Sequence, residues 1–186
     1  MPTAPRFQLH RTAVLVGMMG SGKTAIGRAL AQRLGVSFVD SDAAIEEAAA
    51  VSIAEIFARD GETFFREREA EVLRRLLGGA PKILSTGGGA FLAERNRDAI
   101  SQAGIAVWLN ADLPTLWDRV RHKDSRPLLR TADPRGTLAA LLTARAPVYA
   151  QAGLHIAVSR HASIEETTQS VIDALLTHPE ILESER

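Results

Sequence analysis

TAVLVGMMGSGKTAIGRALAQRLG, Thr12 to Gly35, is the stretch that decides the fold. It opens on an apolar run rich in β-branched residues, the pattern of a short buried strand. From Lys23 to Leu34 the period becomes helical, with Ile26, Leu30 and Leu34 on one face and Gly35 at the end. Between strand and helix, Gly17, Gly20, Gly22, Lys23 and Thr24 match G-x-x-x-x-G-K-[ST], the spacing of a phosphate-binding loop. Glycines free of Cβ crowding let successive backbone N–H groups converge on phosphate oxygens, and the helix N-terminus adds a positive dipole end. Lys23 then reaches the outer phosphates, and the Thr24 hydroxyl is placed to ligate Mg²⁺. The loop therefore holds a nucleoside triphosphate.

Outward from this unit, strand-like and helix-like segments alternate. VSFVD (36–40), KILST (82–86), IAVWL (105–109) and HIAVS (155–159) are further strand candidates. SIAEIFARDG and ETFFREREAEVLRRLLGG read as helices, as do segments starting near Glu94, Leu113, Thr137 and Ser163. Five strands so arranged imply an α/β fold with a parallel sheet covered by helices on both faces. The ends, residues 1–11 and HPEILESER (178–186), read as loose tails around one domain spanning 12–177. RHKDSRPLLRTADPRG (121–136), basic and broken by two prolines, reads as a mobile loop.

Composition narrows the functional classes. A chain of 186 residues can bury one sizeable core without staples. Lys plus Arg balance Asp plus Glu at 22 each, so no overall field argues for nucleic acid or an anionic membrane. There is no cysteine, which excludes disulfides and thiolate chemistry and fits a reducing cytosol. No apolar run suits a signal peptide or a membrane span, so a cytoplasmic protein, working as a monomer, is expected. The five histidines show no metal-ligand spacing, and Trp108 and Trp117 read as packing residues.

Further candidates cluster after the strands. Asp40 and Asp42, in DSD, end the second strand of this reading, and ligands in open α/β sheets gather beyond the carboxyl ends of strands. Asp40 can hold Mg²⁺ through water, while Asp42 can accept a hydrogen bond from a substrate hydroxyl. One of the pair could equally be a helix N-cap before AAIEEAAA. Gly87, Gly88 and Gly89 call either for close approach of a ligand to the backbone or for an unusual turn, with a plain loop as the simpler alternative. Arg66, with Glu69 three residues on, would ordinarily be a solvated ion pair.

Taken in order, GMMGSGKT, DSD, FRERE, TGGG, RPLL (126–129) and RAPVY (145–149) resemble the shikimate kinase family from about Thr12 to Thr177. The resemblance implies a three-layer P-loop kinase fold whose five-stranded parallel sheet has order 2-3-1-4-5, with a lid. A substrate-binding region at about 41–78 and a lid at about 121–136 follow from it. The implied reaction is phosphorylation of the 3-hydroxyl of shikimate by ATP with Mg²⁺. Carried over, Asp42 holds ring hydroxyls, Arg66 and Arg145 take the carboxylate, and Gly87 to Gly89 line the pocket. ATP contacts fall on Gly20, Ser21, Gly22, Lys23, Thr24 and Ala25, on Arg119 against adenine, and on Arg126 from the lid. Lys23, Asp42 and Arg126 form the implied catalytic set.

Where the family often carries a proline beside adenine this chain reads SRHAS (159–163), which leaves that side of the base pocket unassigned. Positive neighbours are expected to lower the Asp42 pKa and make it chiefly an orienting group. Two other readings remain: a gluconate-kinase-like enzyme, against which DSD, TGGG and the paired arginines speak, and a non-catalytic nucleotide-binding regulator.

Overall fold

A computed structural model describes residues 6–123 and 127–185. Its centre is strand β2 (Thr12–Val16), every residue of which is buried. Parallel neighbours flank it, β4 (Ile83–Ser85) on one side and β5 (Gly104–Ala111) on the other. Strand β3 (Phe38–Asp40) continues the sheet beyond β4, and β6 (Leu154–Val158) closes it beyond β5. The order β3-β4-β2-β5-β6 is all parallel, and it is 2-3-1-4-5 when these five strands alone are counted. Both faces of such a sheet need cover, which explains the continuous apolar runs of β2 and β5.

Among the described residues, seven α-helices provide that cover. Helix α1 (Lys23–Leu34) buries Ile26, Leu30 and Leu34 and ends at Gly35. Helix α2 (Ser41–Ala49) follows β3 directly, and α3 (Ile53–Leu77) is two helical stretches meeting at a non-helical Gly61 (φ 84°, ψ 173°), the two helices that the sequence suggests. Helices α4 (Glu94–Ala103), α5 (Leu113–Val120), α6 (Pro134–Tyr149) and α7 (Ile164–Leu175) complete the set. Helix α6 begins three residues before the expected start, because Asp133 caps it by accepting from the Gly136 N–H. Residues 134–136 thus belong to a helix rather than to the loop.

The two ends differ from the expected tails. Strand β1 (Arg6–Leu9) pairs antiparallel with β7 (Leu182–Glu185), placing Leu9 opposite Leu182. Leu9, Ile181 and Leu182 are buried in the main core, so apolar burial orders both ends. Among the described residues, no helix is long and apolar enough to cross a membrane.

Topology now positions the chemistry. Strands β3, β4 and β2 are neighbours and parallel, so the segments leaving their carboxyl ends emerge side by side: DSD from β3, TGGG from β4 and the phosphate-binding loop from β2.

Candidate active site

The phosphate-binding loop is shaped by its glycines. Gly20 and Gly22 hold φ of 81° and 97°, a region costly for a residue with a Cβ. Gly22 is also the N-cap of α1 and supplies no side-chain cap. Elsewhere Asp40, Ser52, Asp112, Asp133 and Ser163 cap α2, α3, α5, α6 and α7 with side-chain oxygens. The first N–H groups of α1 are thereby left for an anion. The Lys23 ammonium lies over this loop, donating to the carbonyls of Gly17 at 2.8 Å and Met18 at 2.9 Å. Thr24 Oγ1 donates to Asp40 Oδ2 at 3.3 Å, so two hard oxygen groups meet at the loop's exit.

Asp40 is the N-cap of α2, and its second oxygen stays turned to the phosphate-binding loop. Its Oδ1 caps α2 by accepting from the N–H groups of Asp42 and Ala43, while Oδ2 faces Thr24. This oxygen pair suits Mg²⁺ completed by phosphate and water. No cluster of three His, Asp or Glu forms a protein cage among the described residues.

The three glycines after β4 explain themselves through their neighbours. A Cβ on Gly87 would lie 2.5 Å from an Asp42 carboxylate oxygen, and one on Gly89 would lie 2.5 Å from the Arg66 guanidinium. A Cβ on Gly88 would sit 3.4 Å from Arg145 Nη1. Each glycine therefore lets one functional side chain close onto the backbone. The glycine carbonyls are occupied from within: Gly87 accepts from the Ala90 N–H, Gly89 from the Leu92 N–H, and Gly88 from the Tyr149 hydroxyl. The turn is left with N–H groups to offer a ligand.

Arg66 is held from two sides. Its Nη1 donates to both Glu69 carboxylate oxygens, at 2.9 and 3.2 Å, and its Nε lies 3.5 Å from Glu62. Glu69 is only 2% exposed, so this is a half-buried pair in which one guanidinium nitrogen bridges both carboxylate oxygens, rather than the solvated one that i, i+3 spacing suggests. Burial pushes the Glu69 carboxyl above its usual range, and Arg66 opposes the shift.

Asp42 departs from its expected electrostatics. Burial, followed by repulsion from Asp40, raises its pKa, and the attraction of Lys23 and Arg66 is too weak to reverse that. The positive neighbours are present, but the desolvation of a carboxylate under Gly87 outweighs them.

A cleft of about 410 Å³ joins the two halves, bordered by Lys23, Thr24, Asp40, Asp42, Gly87 and Gly88. Beside it, a second pocket of about 260 Å³ runs from Ser21 and Ala25, past Arg119, to Ala162, Ser163 and Ile164. Arg119 donates to the Gly20 carbonyl at 3.1 Å, which sets its guanidinium between the loop and this pocket. Ala162 and Ser163 of the stretch 159–163, together with Ile164, line this pocket. The available signal was the α7 capping box, in which Ser163 and Glu166 bond reciprocally and fix where the loop turns. Arg126 lies outside the described residues. Lys123, at the edge of the same cleft, was not singled out from sequence.

Known proteins resemble this chain along most of its length. The family described as "Shikimate kinase" matches residues 19–176. Shikimate kinase of Ruegeria pomeroyi is 65% identical over 94% of this chain and 90% of its own length. The Cereibacter sphaeroides shikimate kinase is 60% identical over 96% of this chain and 89% of its own. A solved shikimate kinase from Acinetobacter baumannii in complex with shikimate superposes with TM-score 0.84 at 37% identity, covering 90% of this chain and 93% of that one. A gluconokinase from Sinorhizobium meliloti, with TM-score 0.58 at 19% identity over 91% of this chain and 94% of its own, shares the fold alone.

Proposed function

Because this chain belongs to the shikimate kinase family, we propose that its cleft transfers the γ-phosphoryl group of ATP to the 3-hydroxyl of shikimate. The products are 3-phosphoshikimate and ADP. The observation that carries the residue assignment is the pairing of Gly87, Gly88 and Gly89 with Asp42, Arg145 and Arg66. It puts a hydroxyl acceptor and two planar cations around one turn, beside the phosphate-binding loop, as a hydroxylated carboxylic acid requires.

Each residue then has a defined task. Backbone N–H groups of Gly20 to Ala25 cradle the phosphates, and Arg119 faces adenine from one side, with Ala162 and Ile164 opposite. Lys23 exchanges its bonds to the Gly17 and Met18 carbonyls for phosphate oxygens. Arg66 and Arg145 grip the carboxylate with paired donors that stay charged. Arg126 closes over the transferring group from the lid. Asp42 accepts the hydrogen bond of the attacking hydroxyl and aims it in line with the γ-phosphorus. Its raised pKa makes it a stronger proton acceptor than an ordinary aspartate, and the proton passes to it late in a loose transition state. Thr24, and Asp40 through water, would hold Mg²⁺, which supplies charge neutralisation across the phosphates.

Coupled ADP release with shikimate, with gluconate and without acceptor tests the reading. Release should depend on shikimate. Equal or faster release with gluconate, or acceptor-independent release, would overturn it.

A further inference from the structure

Tyr149 is fully buried at the end of α6, yet its polar end is turned toward the acceptor side of the cleft. Its hydroxyl donates a short hydrogen bond to the Gly88 carbonyl and lies 4.0 Å from Met18 Sδ in the phosphate-binding loop. The ring packs 6.1 Å from Trp108 of β5, so the phenol is anchored by the sheet rather than by solvent-facing neighbours. Arg145, one helical turn earlier on α6, has its charge beside the phenol and its Nη1 next to Gly88. One buried hydroxyl thus joins the glycine turn, the helix that carries Arg145 and the phosphate-binding loop.

We propose that Tyr149 is a positioning residue for the acceptor's carboxylate, its hydroxyl locking the Gly88 peptide against Arg145. The inference rests on the reading above that Arg145 and the Gly87–Gly89 turn receive that carboxylate. With the Gly88 oxygen engaged by Tyr149, the peptide cannot rotate its carbonyl into the cleft, where it would repel an anion. Without the hydroxyl, that oxygen has no partner in the buried wall, and turning into the cleft becomes its means of finding one.

Tyr149→Phe removes the hydroxyl and keeps the packed ring. Titration calorimetry should show shikimate binding weakened about 2- to 12-fold, the range of one net hydrogen bond, with a non-hydrolysable ATP analogue within about 2-fold of the parent. In an Arg145→Lys background the same change should cost less than about 2-fold, because the partner it positions has been replaced. A merely structural role would carry the full cost into both backgrounds or weaken nucleotide equally, and either result overturns the proposal. If Arg145→Lys binds shikimate like the parent, the site assignment fails and this inference falls with it. If Arg145→Lys weakens binding but Tyr149→Phe does not, the inference alone fails.

The chain has a single tyrosine, so biosynthetic 3-fluorotyrosine labels this position in the otherwise unaltered enzyme. Its ¹⁹F resonance should shift on saturation with shikimate. A resonance unmoved by shikimate overturns the proposal even if the phenylalanine variant does not fold.

Discussion

Gly89→Ala isolates the contribution of Arg66 without touching Arg66. The backbone at Gly89, with φ of −93° and ψ of −10°, is open to alanine, so no conformational strain is introduced. The obstacle is the guanidinium: the new Cβ would meet Arg66 Nη2 at 2.5 Å, Nη1 at 2.6 Å and Cζ at 2.8 Å. These atoms are the far end of a flexible side chain, which will yield before the turn does. The guanidinium must move by about 1 Å to restore van der Waals contact, and that takes it off the carboxylate position. Losing charge-assisted hydrogen bonds of about 1.5–3 kcal/mol corresponds to about 10- to 150-fold in shikimate affinity. Overpacking should cost about 1–3 kcal/mol of stability, visible as a lowered but cooperative melting transition. Calorimetric titration with shikimate and with an ATP analogue is the assay, and the nucleotide affinity should be unchanged. Parent-like shikimate binding, or an equal loss for both ligands, would refute the placement of Arg66.

Lys23→Ala should lower turnover by about 100-fold or more with the fold intact, since a preorganised charge at the transferring group contributes about 2.7–4 kcal/mol; steady-state kinetics on the purified variant check it. Arg66→Lys keeps the charge but loses the fork, so the KM for shikimate should rise at least about 10-fold while that for ATP holds, as initial-rate measurements would show. Activity should vanish in excess chelator and return on adding Mg²⁺, because Thr24 and Asp40 offer only hard oxygens. Asp42 acts ionised and its pKa is raised, so kcat/KM should rise with pH through a limb lying above the ordinary aspartate value of about 3.9. In Asp42→Asn the remaining activity should lack that limb, and a pH–rate profile of both proteins decides the point.

What was legible in the sequence was what is local. The phosphate-binding loop announces itself because glycine spacing, lysine and hydroxyl all lie within one turn between a strand and a helix. Strand order followed from resemblance, and the neighbouring exits of β3, β4 and β2 follow from it. The three glycines signalled an unusual backbone, but their individual partners come from α2, α3 and α6, and no spacing rule connects Gly88 with Arg145 across that distance in sequence. Glu69 reads as a surface partner of Arg66 because the i, i+3 interval is silent about burial. The Asp42 pKa was read with the wrong sign for the same reason: nearby charges can be inferred from motifs, whereas desolvation depends on how tightly Gly87 packs on the carboxylate. Strands β1 and β7 escaped notice because four residues are too few for a periodic signal, and each is ordered by its distant partner strand and by burial of Leu9 and Leu182 in the main core.

The most direct test of the central claim is a crystal structure with shikimate, Mg²⁺ and a non-hydrolysable ATP analogue. The shikimate carboxylate should lie within about 3.2 Å of guanidinium nitrogens of both Arg66 and Arg145 and against the Gly87–Gly89 turn, with a ring hydroxyl at similar distance from Asp42 and facing the γ-phosphate. A carboxylate bound away from both arginines, or a hydroxyl presented to the γ-phosphate by a group other than Asp42, would contradict it.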